Sequence, residues 1–517
     1  MKKAIVSALV FAAVAVGTAA TNPLPNPAEV TTCPLDQLVS TRLQKLSLPP
    51  AEVCPDAVFI RRAYLDVIAT LPTAEEVEAF LEDKNLRKRR ALVDRLLERP
   101  EFVDCWAMKW CDLLRVKAEF PINLWPNAAQ IYHHYLWESI KNNVPYDRLA
   151  RELLTASGSN FRTAPVNFYR AMQNRDPQGI AQTVALTFMG ARADRWPTNQ
   201  LAGLAAFFSQ VGSKSTAEWK EEIVFFDPGK ATNGLWWAAA FPEGKPVKLA
   251  PDRDPRAVFA DWLITPQNPW FTRAIANRVW SWLLGRGIIH EPDDIRPDNP
   301  PSNPELLAYL EKELVAAHYD LKHLYRVILN SQTYQRSSIP KTNSPAAAAN
   351  FAFYPVRRLD AEVVIDALNQ ITGTTEKYSS QIPEPFTFIP ESQRTIALAD
   401  ASVTSPFLEL FGRSARDTGM ESERNNRATA AQRLHLLNSS HIQRKIQQGP
   451  KIKALLQSQR SATEKVTTLY LTILSRYPTT EELQTITAYT KSAGNSSAAS
   501  QDLIWALVNS AEFLYRH

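Results

Sequence analysis

Guanidinium and carboxylate groups gather at several points of this sequence with spacings suited to chemistry. The densest set, Arg413, Arg416, Glu421, Glu423 and Arg424, lies between a long proline-bearing segment and a stretch carrying His435 and Asn438. Such a set beside a loop suits substrate binding and proton transfer, because binding and catalytic residues concentrate on loops. The plainer reading is a loop pinned by surface ion pairs. Arg358, Glu362 and Asp366 recur every fourth residue and share one helical ridge. As an exposed charge ladder each pair is worth only about 0.2–0.5 kcal/mol. Facing a cleft, two carboxylates about 5–9 Å apart would suit glycoside hydrolysis.

Arg273, Asn277 and Trp280 fall on one helical face. An aromatic ring beside a guanidinium and an amide would hold a sugar ring or a carboxylate. An Arg–acid pair fixing the helix to its neighbour explains the same residues. The run His290-Glu291-Pro292-Asp293-Asp294 would serve a hard cation or general acid–base work. Helix capping and salt bridges to Arg278 or Arg296 compete with that reading. The catalytic candidates are therefore Asp294, Glu362, Asp366 and Glu423. The substrate-binding candidates are Arg273, Asn277, Trp280, His290, Arg358, Arg413, Arg416, Arg424 and His435. No HExxH occurs, and the spacing of His318 and His323 points them to different helix faces, so no metal centre is expected. Serine-hydrolase elbows, P-loops and dinucleotide-binding glycine patterns are also absent from the sequence.

The elements that must position these groups read mostly as helices. Leu92, Val93, Leu96 and Leu97 make one apolar face; Trp106, Trp110, Leu113 and Leu114 make another after Pro100. Phe271, Ile275, Val279, Trp282 and Leu283 line a third that stops at Gly285. Ser302 with Glu305, or Asn303 before Pro304, starts a helix through Leu306, Leu310 and Leu314, and Leu359, Val363, Leu368 and Ile371 make one ended by Gly373. With 16 Gly against 36 Pro, a turn-rich all-β fold is disfavoured. Strands are expected at Glu222–Phe226 and, around a hairpin-like Pro242-Glu243-Gly244-Lys245, at Leu235–Phe241 and Val247–Leu249. The expected fold is thus mainly α and multi-helical: helical domains at 21–215 and 256–517, with a short β-hairpin insert at 216–255. The prolines at 383, 385 and 390 break any helix between Ser379 and Ser405, where Phe386 and Phe388 would pack the segment down.

An internal echo stands out. Tyr64-Leu65 followed by Pro72-Thr73-Ala74-Glu75-Glu76-Val77 matches Tyr470-Leu471 followed by Pro478-Thr479-Thr480-Glu481-Glu482-Leu483 at the same spacing. Each copy predicts a capping box, and each is followed by a second match, Leu92 through Glu101-Phe102 and Leu503 through Glu512-Phe513. Pseudo-symmetric packing of the two ends and chance convergence of capping boxes both account for it.

Lys2 and Lys3, the apolar run Ala4–Val16 and Gly17-Thr18-Ala19-Ala20 read as a signal peptide over residues 1–20, placing the mature chain in the periplasm or outside the cell. No later stretch is long enough to span a bilayer. Removal of the two lysines takes the formal charge from +5 to +3, which makes no electrostatic case for nucleic acid. Four cysteines allow three pairings. Cys105 and Cys111 share a predicted helix, where six residues of rise (about 9 Å) exceed disulfide reach. Cys33–Cys54 is therefore the favoured bridge, with free buried thiols as the alternative. No CxxCH occurs, so c-type haem has no attachment site.

Longer motifs carry a family resemblance. Phe59-Ile60-Arg61-Arg62-Ala63-Tyr64-Leu65-Asp66, Leu71-Pro72-Thr73, Leu92-Val93-Asp94-Arg95-Leu96-Leu97, then Trp106, Trp110, Asp112 and Arg115 resemble the planctomycete secreted cytochrome-associated domain, type two. Asp254-Pro255-Arg256, Asn277-Arg278-Val279-Trp280, Gly285-Arg286-Gly287-Ile288, Asn299-Pro300-Pro301-Ser302-Asn303-Pro304, Arg357-Arg358-Leu359-Asp360-Ala361-Glu362 and Leu436-Leu437-Asn438 are similar to the planctomycete secreted domain, type one, usually fused behind it. Both are domains of unknown function. The resemblance implies export, an association with polysaccharide use and, in many members, a cytochrome c domain in front. Members commonly carry a CxxCH-type motif after the Phe-Leu-Gly that here reads Phe188-Met189-Gly190, and a cysteine pair where Met420 and Ser422 stand. Here Ala191-Arg192-Ala193 runs directly into Asp194-Arg195-Trp196-Pro197, so no cofactor is expected and family-associated haem c is judged absent.

Two functions remain in view. One is a polysaccharide-associated binding or accessory protein, resting on export and on 13 Trp, 15 Tyr and 22 Phe, with polysaccharide or another exported protein as partner. The other is a carbohydrate-active hydrolase or lyase using carboxylates and arginines of the C-terminal domain. A polar cleft gathering Arg273, Asp294, Arg358, Glu362 and Arg424 would favour the enzyme; dispersal into separate salt bridges would favour the binder.

Overall fold

The computed structural model describes residues 33–233, 239–250 and 252–517. The expected signal peptide lies outside the described residues. Helices make up 56% of the described residues and the sheets among them have only two or three strands, so the fold is mainly α. No helix among the described residues is long and apolar enough to cross a membrane.

Chain breaks fall where backbone chemistry puts them. The Phe271–Leu284 helix ends on Gly285 at φ 72° and the Ala361–Thr372 helix on Gly373 at φ 74°, a left-handed turn that glycine makes without steric cost. Between the two possible starts near residue 302, the cap is Asn303, whose side chain accepts the Leu306 N–H ahead of the Pro304–Ala316 helix.

One continuous hydrophobic core runs from Leu35 through Phe59, Trp110, Trp280 and Leu368 to Tyr470 and Phe513. The first and last described elements both pack into it. The Pro34–Lys45 helix packs on the Pro304–Ala316 helix, and its buried Asp36 accepts the N–H groups of Gln332 and Thr333 at 2.8 and 2.9 Å. Arg61 donates to the carbonyls of Ile473 (2.8 Å) and Phe513 (3.0 Å); Arg62 donates to those of Tyr334 (2.6 Å), Arg336 (2.8 Å) and His517 (2.9 Å). These buried guanidiniums satisfy carbonyls at helix ends that would otherwise be orphaned.

The internal echo is structural. Thr73 and Thr479 each complete a capping box, on the Ala74–Glu82 and Thr480–Ala493 helices. At matching positions before them, Ala69 and Ser475 are both left-handed, with φ of 50° and 60°. Arg99 bridges Glu76 and Glu101 at 2.7 and 2.6 Å with its guanidinium 5.6 Å from the Tyr64 ring centroid. Arg476 bridges Glu482 and Glu512 at 2.8 and 2.6 Å, 5.3 Å from the Tyr470 ring. The two arginines occupy different sequence positions within their units, yet each guanidinium joins the corresponding pair of glutamates over the corresponding tyrosine. The Ala462–Leu474 helix of the second unit packs on the Ala74–Glu82 helix of the first.

Strand β1 (Gly158–Ser159), β2 (Val211–Ser215) and β3 (Glu222–Phe226) form an antiparallel sheet in the order β1-β3-β2. β2 begins upstream of the stretch where the sequence predicts β structure. The expected strands on either side of Pro242 reduce to a single bridge, Ala240 with Pro246, closed by Phe241 N–H to Lys245 O at 3.0 Å. Residues 235–238 of the first expected strand lie outside the described residues.

Two expectations are corrected here. All four cysteines are free thiols. Cys33 precedes the Pro34–Lys45 helix, whereas Cys54 is held elsewhere by its N–H to Gln335 O (2.8 Å) and by Arg89 on its own carbonyl (2.7 Å). In the long proline segment, Phe386 and Phe388 do not pack down; they are 49% and 72% exposed. Tyr378, Ile382 and Ile389 rest on the core in their place, and the Asp366 carboxylate pins the segment by accepting the N–H groups of Thr395 and Ile396.

Candidate functional site

Part of the predicted charge cluster comes together, but in the interior. The Ala361–Thr372 helix presents Glu362 and its neighbour Asp360 to the loop that follows Phe411, and the Pro100–Leu113 helix presents Lys109 and Asp112 from the other side. Arg424 Nη1 lies 2.6 Å from Glu362 Oε2 while its Nη2 lies 2.6 Å from Asp112 Oδ2. Arg416 Nε binds the other Asp112 oxygen at 2.9 Å, and Arg413 approaches Glu362 at 3.5 Å. Asp360 takes Lys109 at 3.4 Å and Arg516 at 3.1 Å. Arg516 also reaches Asp66 at 3.5 Å. Asp66 further accepts Arg357 (2.9 Å) and the hydroxyls of Tyr334 (2.9 Å) and Tyr354 (2.8 Å).

Burial by itself would raise the Asp112 and Asp360 carboxyls. For Asp112, Arg424, Arg416 and Lys109 outweigh it and hold the group below its ordinary range; for Asp360, Lys109, Arg516 and Arg424 hold it well below. Burial pushes Arg413 down to about 10, with neighbouring Arg416 adding to the effect. The cavity between Lys109, Asp112, Arg278, Trp282, Glu421 and Arg424 is about 10 Å³, room for one water molecule and too small for a sugar. The network's carboxylates are engaged by cations, an arrangement that braces the core.

The remaining candidates are apart from it. Arg358 donates to the carbonyls of Phe411 and Asn425. Asp366 is tied to the 395–396 backbone, and burial raises its carboxyl despite Arg394. Glu423 braces its own loop through the Asp417 N–H at 2.7 Å. Arg273 pairs with Glu311 at 2.9 Å. Asn277 clamps Ile289 in both directions at 2.9 and 2.8 Å, and Trp280 is 0% exposed against Phe351, so neither offers a surface to a sugar. Asp294 pairs with Arg195 (3.6 Å) and Arg296 (3.3 Å). His290 is exposed, and partial burial followed by Arg286 lowers its pKa. His435 lies against His441 and the rings of Phe407 and Phe411.

A different surface gathers binding chemistry that sequence reasoning missed. Trp125, whose φ is 72°, immediately precedes Pro126, the residue that opens the next helix. Its ring lies 6.3 Å from Trp219 at 85° and 5.4 Å from Phe386 at 61°. Trp219 sits on the β2–β3 hairpin loop, 69% exposed. That loop is anchored by Glu221, which accepts the hydroxyls of Ser159 (2.5 Å) and Thr216 (2.6 Å). Phe386 comes from the proline segment, which Glu119 fastens by accepting the Gln381 N–H at 2.9 Å. Lys220 Nζ lies 5.1 and 5.2 Å from the Trp125 and Trp219 ring centroids, a cation–π arrangement with both indoles. Phe120, next to Glu119, is 80% exposed. Only the large number of aromatic residues hinted at this patch, since its members come from three distant segments.

The resemblance places a CxxCH-type motif just after Gly190. Residues 188–197 contain no cysteine or histidine. Ala191 and Ala193 are buried, and Gly190 O accepts the Ile295 N–H at 2.9 Å. The four cysteines all lie elsewhere. Covalent c-type haem does not fit this segment.

Two family models match the chain, one after the other. The PSCyt2 family, described as a protein of unknown function (DUF1549), matches residues 34–212. The PSD1 family, described as a protein of unknown function (DUF1553), matches residues 255–490. No curated protein and no solved structure matches. The chain belongs to the proteins that join a PSCyt2 region to a PSD1 region in that order.

Proposed function

We propose that this is an exported accessory protein that binds polysaccharide through the Trp125–Trp219–Phe386 surface. The observation that carries the reading is that surface itself: the exposed rings of Trp219 and Phe386, from separate segments, meet on a half-buried Trp125. Exposed aromatic clusters of this kind mark interaction sites, since burying them against solvent-exposed partners is favourable. Pyranose rings present a face of C–H groups that packs on an indole, while their hydroxyls remain solvated at the rim. Lys220 and the polar groups of the 216–221 loop supply the rim.

The arginine–carboxylate residues favour binding over hydrolysis. Arg273, Asp294 and Arg358 are dispersed, while Glu362 and Arg424 are consumed in a buried network beside a cavity of about 10 Å³. Incubation of the purified mature protein with a panel of neutral and acidic polysaccharides separates the outcomes. Retarded migration in gels containing one of them, with no new reducing ends or unsaturated products, is expected. Product formation, or the absence of retardation by every polysaccharide, would refute the reading.

A further inference from the structure

The Ala430–Asn438 and Ser440–Gln448 helices meet at Ser439, which ends one and caps the other by accepting the Ile442 N–H at 3.3 Å. The bend turns His435 and His441 toward each other. Their ring centroids are 5.6 Å apart, and His435 Nε2 lies 3.4 Å from His441 Nδ1. On the far side of His441, Nε2 lies 3.0 Å from Glu376 Oε2. Glu376 is in turn held by Lys445 at 3.0 Å. Phe407 and Phe411 set their rings against the pair.

We propose that His435 Nε2 and His441 Nδ1 bind a divalent transition-metal ion of the zinc–copper class. The separation is long for a hydrogen bond, whose usual donor–acceptor distance is about 2.9–3.0 Å. It is the separation that a tetrahedral ion imposes on two imidazole nitrogens, each about 2.0–2.1 Å away, which places them about 3.4 Å apart. Glu376 occupies the position from which a carboxylate orients a ligating imidazole: it accepts Nε2–H of His441 and leaves the Nδ1 lone pair directed at His435. Imidazole pairs suit zinc, copper and nickel better than calcium or magnesium, which prefer oxygen donors. Among the described residues no group of three His, Cys, Asp or Glu side chains is placed to hold a metal. The ion therefore has two protein ligands and completes its coordination with water or an incoming ligand. This site stands independently of the aromatic surface.

The test uses the full mature chain, stripped with a chelator and titrated with Co²⁺ by visible absorption and with Zn²⁺ by calorimetry. One ion per chain is expected. H435A and H441A should each weaken binding by more than about 10-fold, and E376Q by about 10–100-fold, the usual effect of removing an outer-shell partner. H133A/H134A, which alters the chain's adjacent histidine pair, should bind as the parent does. In the unaltered protein, Zn²⁺ should protect His435 and His441 from diethyl pyrocarbonate, a readout that does not depend on any variant folding. Unprotected histidines, or H435A and H441A that bind like the parent, would overturn the site.

Discussion

Asp112 and Glu362 share one guanidinium, that of Arg424, at 2.6 Å each. One carboxylate comes from the PSCyt2 region and the other from the PSD1 region, so this arginine joins the two matched parts inside a common core. Removing one partner of a buried network leaves uncompensated charge and costs about 3–5 kcal/mol. Asp112→Ala and Arg424→Met should each lose stability on that scale in denaturant unfolding. A loss below about 1 kcal/mol, the range of a surface pair, would contradict the described burial.

Asp360 sets the pH dependence. Burial opposes its ionisation, but Lys109, Arg516 and Arg424 prevail and its folded pKa lies well below the unfolded value of about 3.9. A depressed carboxyl contributes stability that is present above the unfolded pKa and lost as pH falls toward the folded one. Asp112 acts in the same direction. Asp360→Asn should therefore be less stable than the parent at pH 7, and the gap should narrow below about pH 4. A gap that stays constant from pH 7 to pH 3 would contradict this.

The thiols give a direct chemical count. Burial pushes Cys105 and Cys111 up to about 12, while Cys33 is half-buried. In the folded protein a thiol reagent should reach Cys33 slowly and leave those two untouched; in denaturant without reductant all four should react. A count of two in denaturant would restore the Cys33–Cys54 bridge.

Arg99 and Arg476 hold equivalent glutamate pairs and are about equally exposed, 27% and 25%. Each belongs to a part-exposed ion network, so Arg99→Ala and Arg476→Ala should each cost about 1 kcal/mol. Matching losses in thermal unfolding are expected. One costly and one inert substitution would argue that the two units do not use the arrangement alike.

Helix ends were legible because local chemistry fixes them: Thr73, Thr479, Asn303 and Gly285 act within one turn of themselves. The capping boxes even exposed the internal echo. Side-chain partners were not legible, since Arg424, Arg416 and Asp112 meet only through tertiary packing. Spacing placed Arg273, Asn277 and Trp280 on one face but could not tell that the helix is buried nearly all round. Phe386 read as a packing residue because nothing nearby reveals Trp125 and Trp219, its actual neighbours. The relation of His435 to His441 and Glu376 has no local signal, because the bend at Ser439 creates it.

Polysaccharide binding at the aromatic surface is tested most directly by calorimetry on the parent, Trp219→Ala and Phe386→Ala with a polysaccharide that retards the parent. Both side chains are largely exposed, so melting temperatures should stay close to the parent's. The predicted result is at least a 10-fold loss of affinity in each variant, about 1.4 kcal/mol. Parent-like affinity in both variants would contradict the assignment.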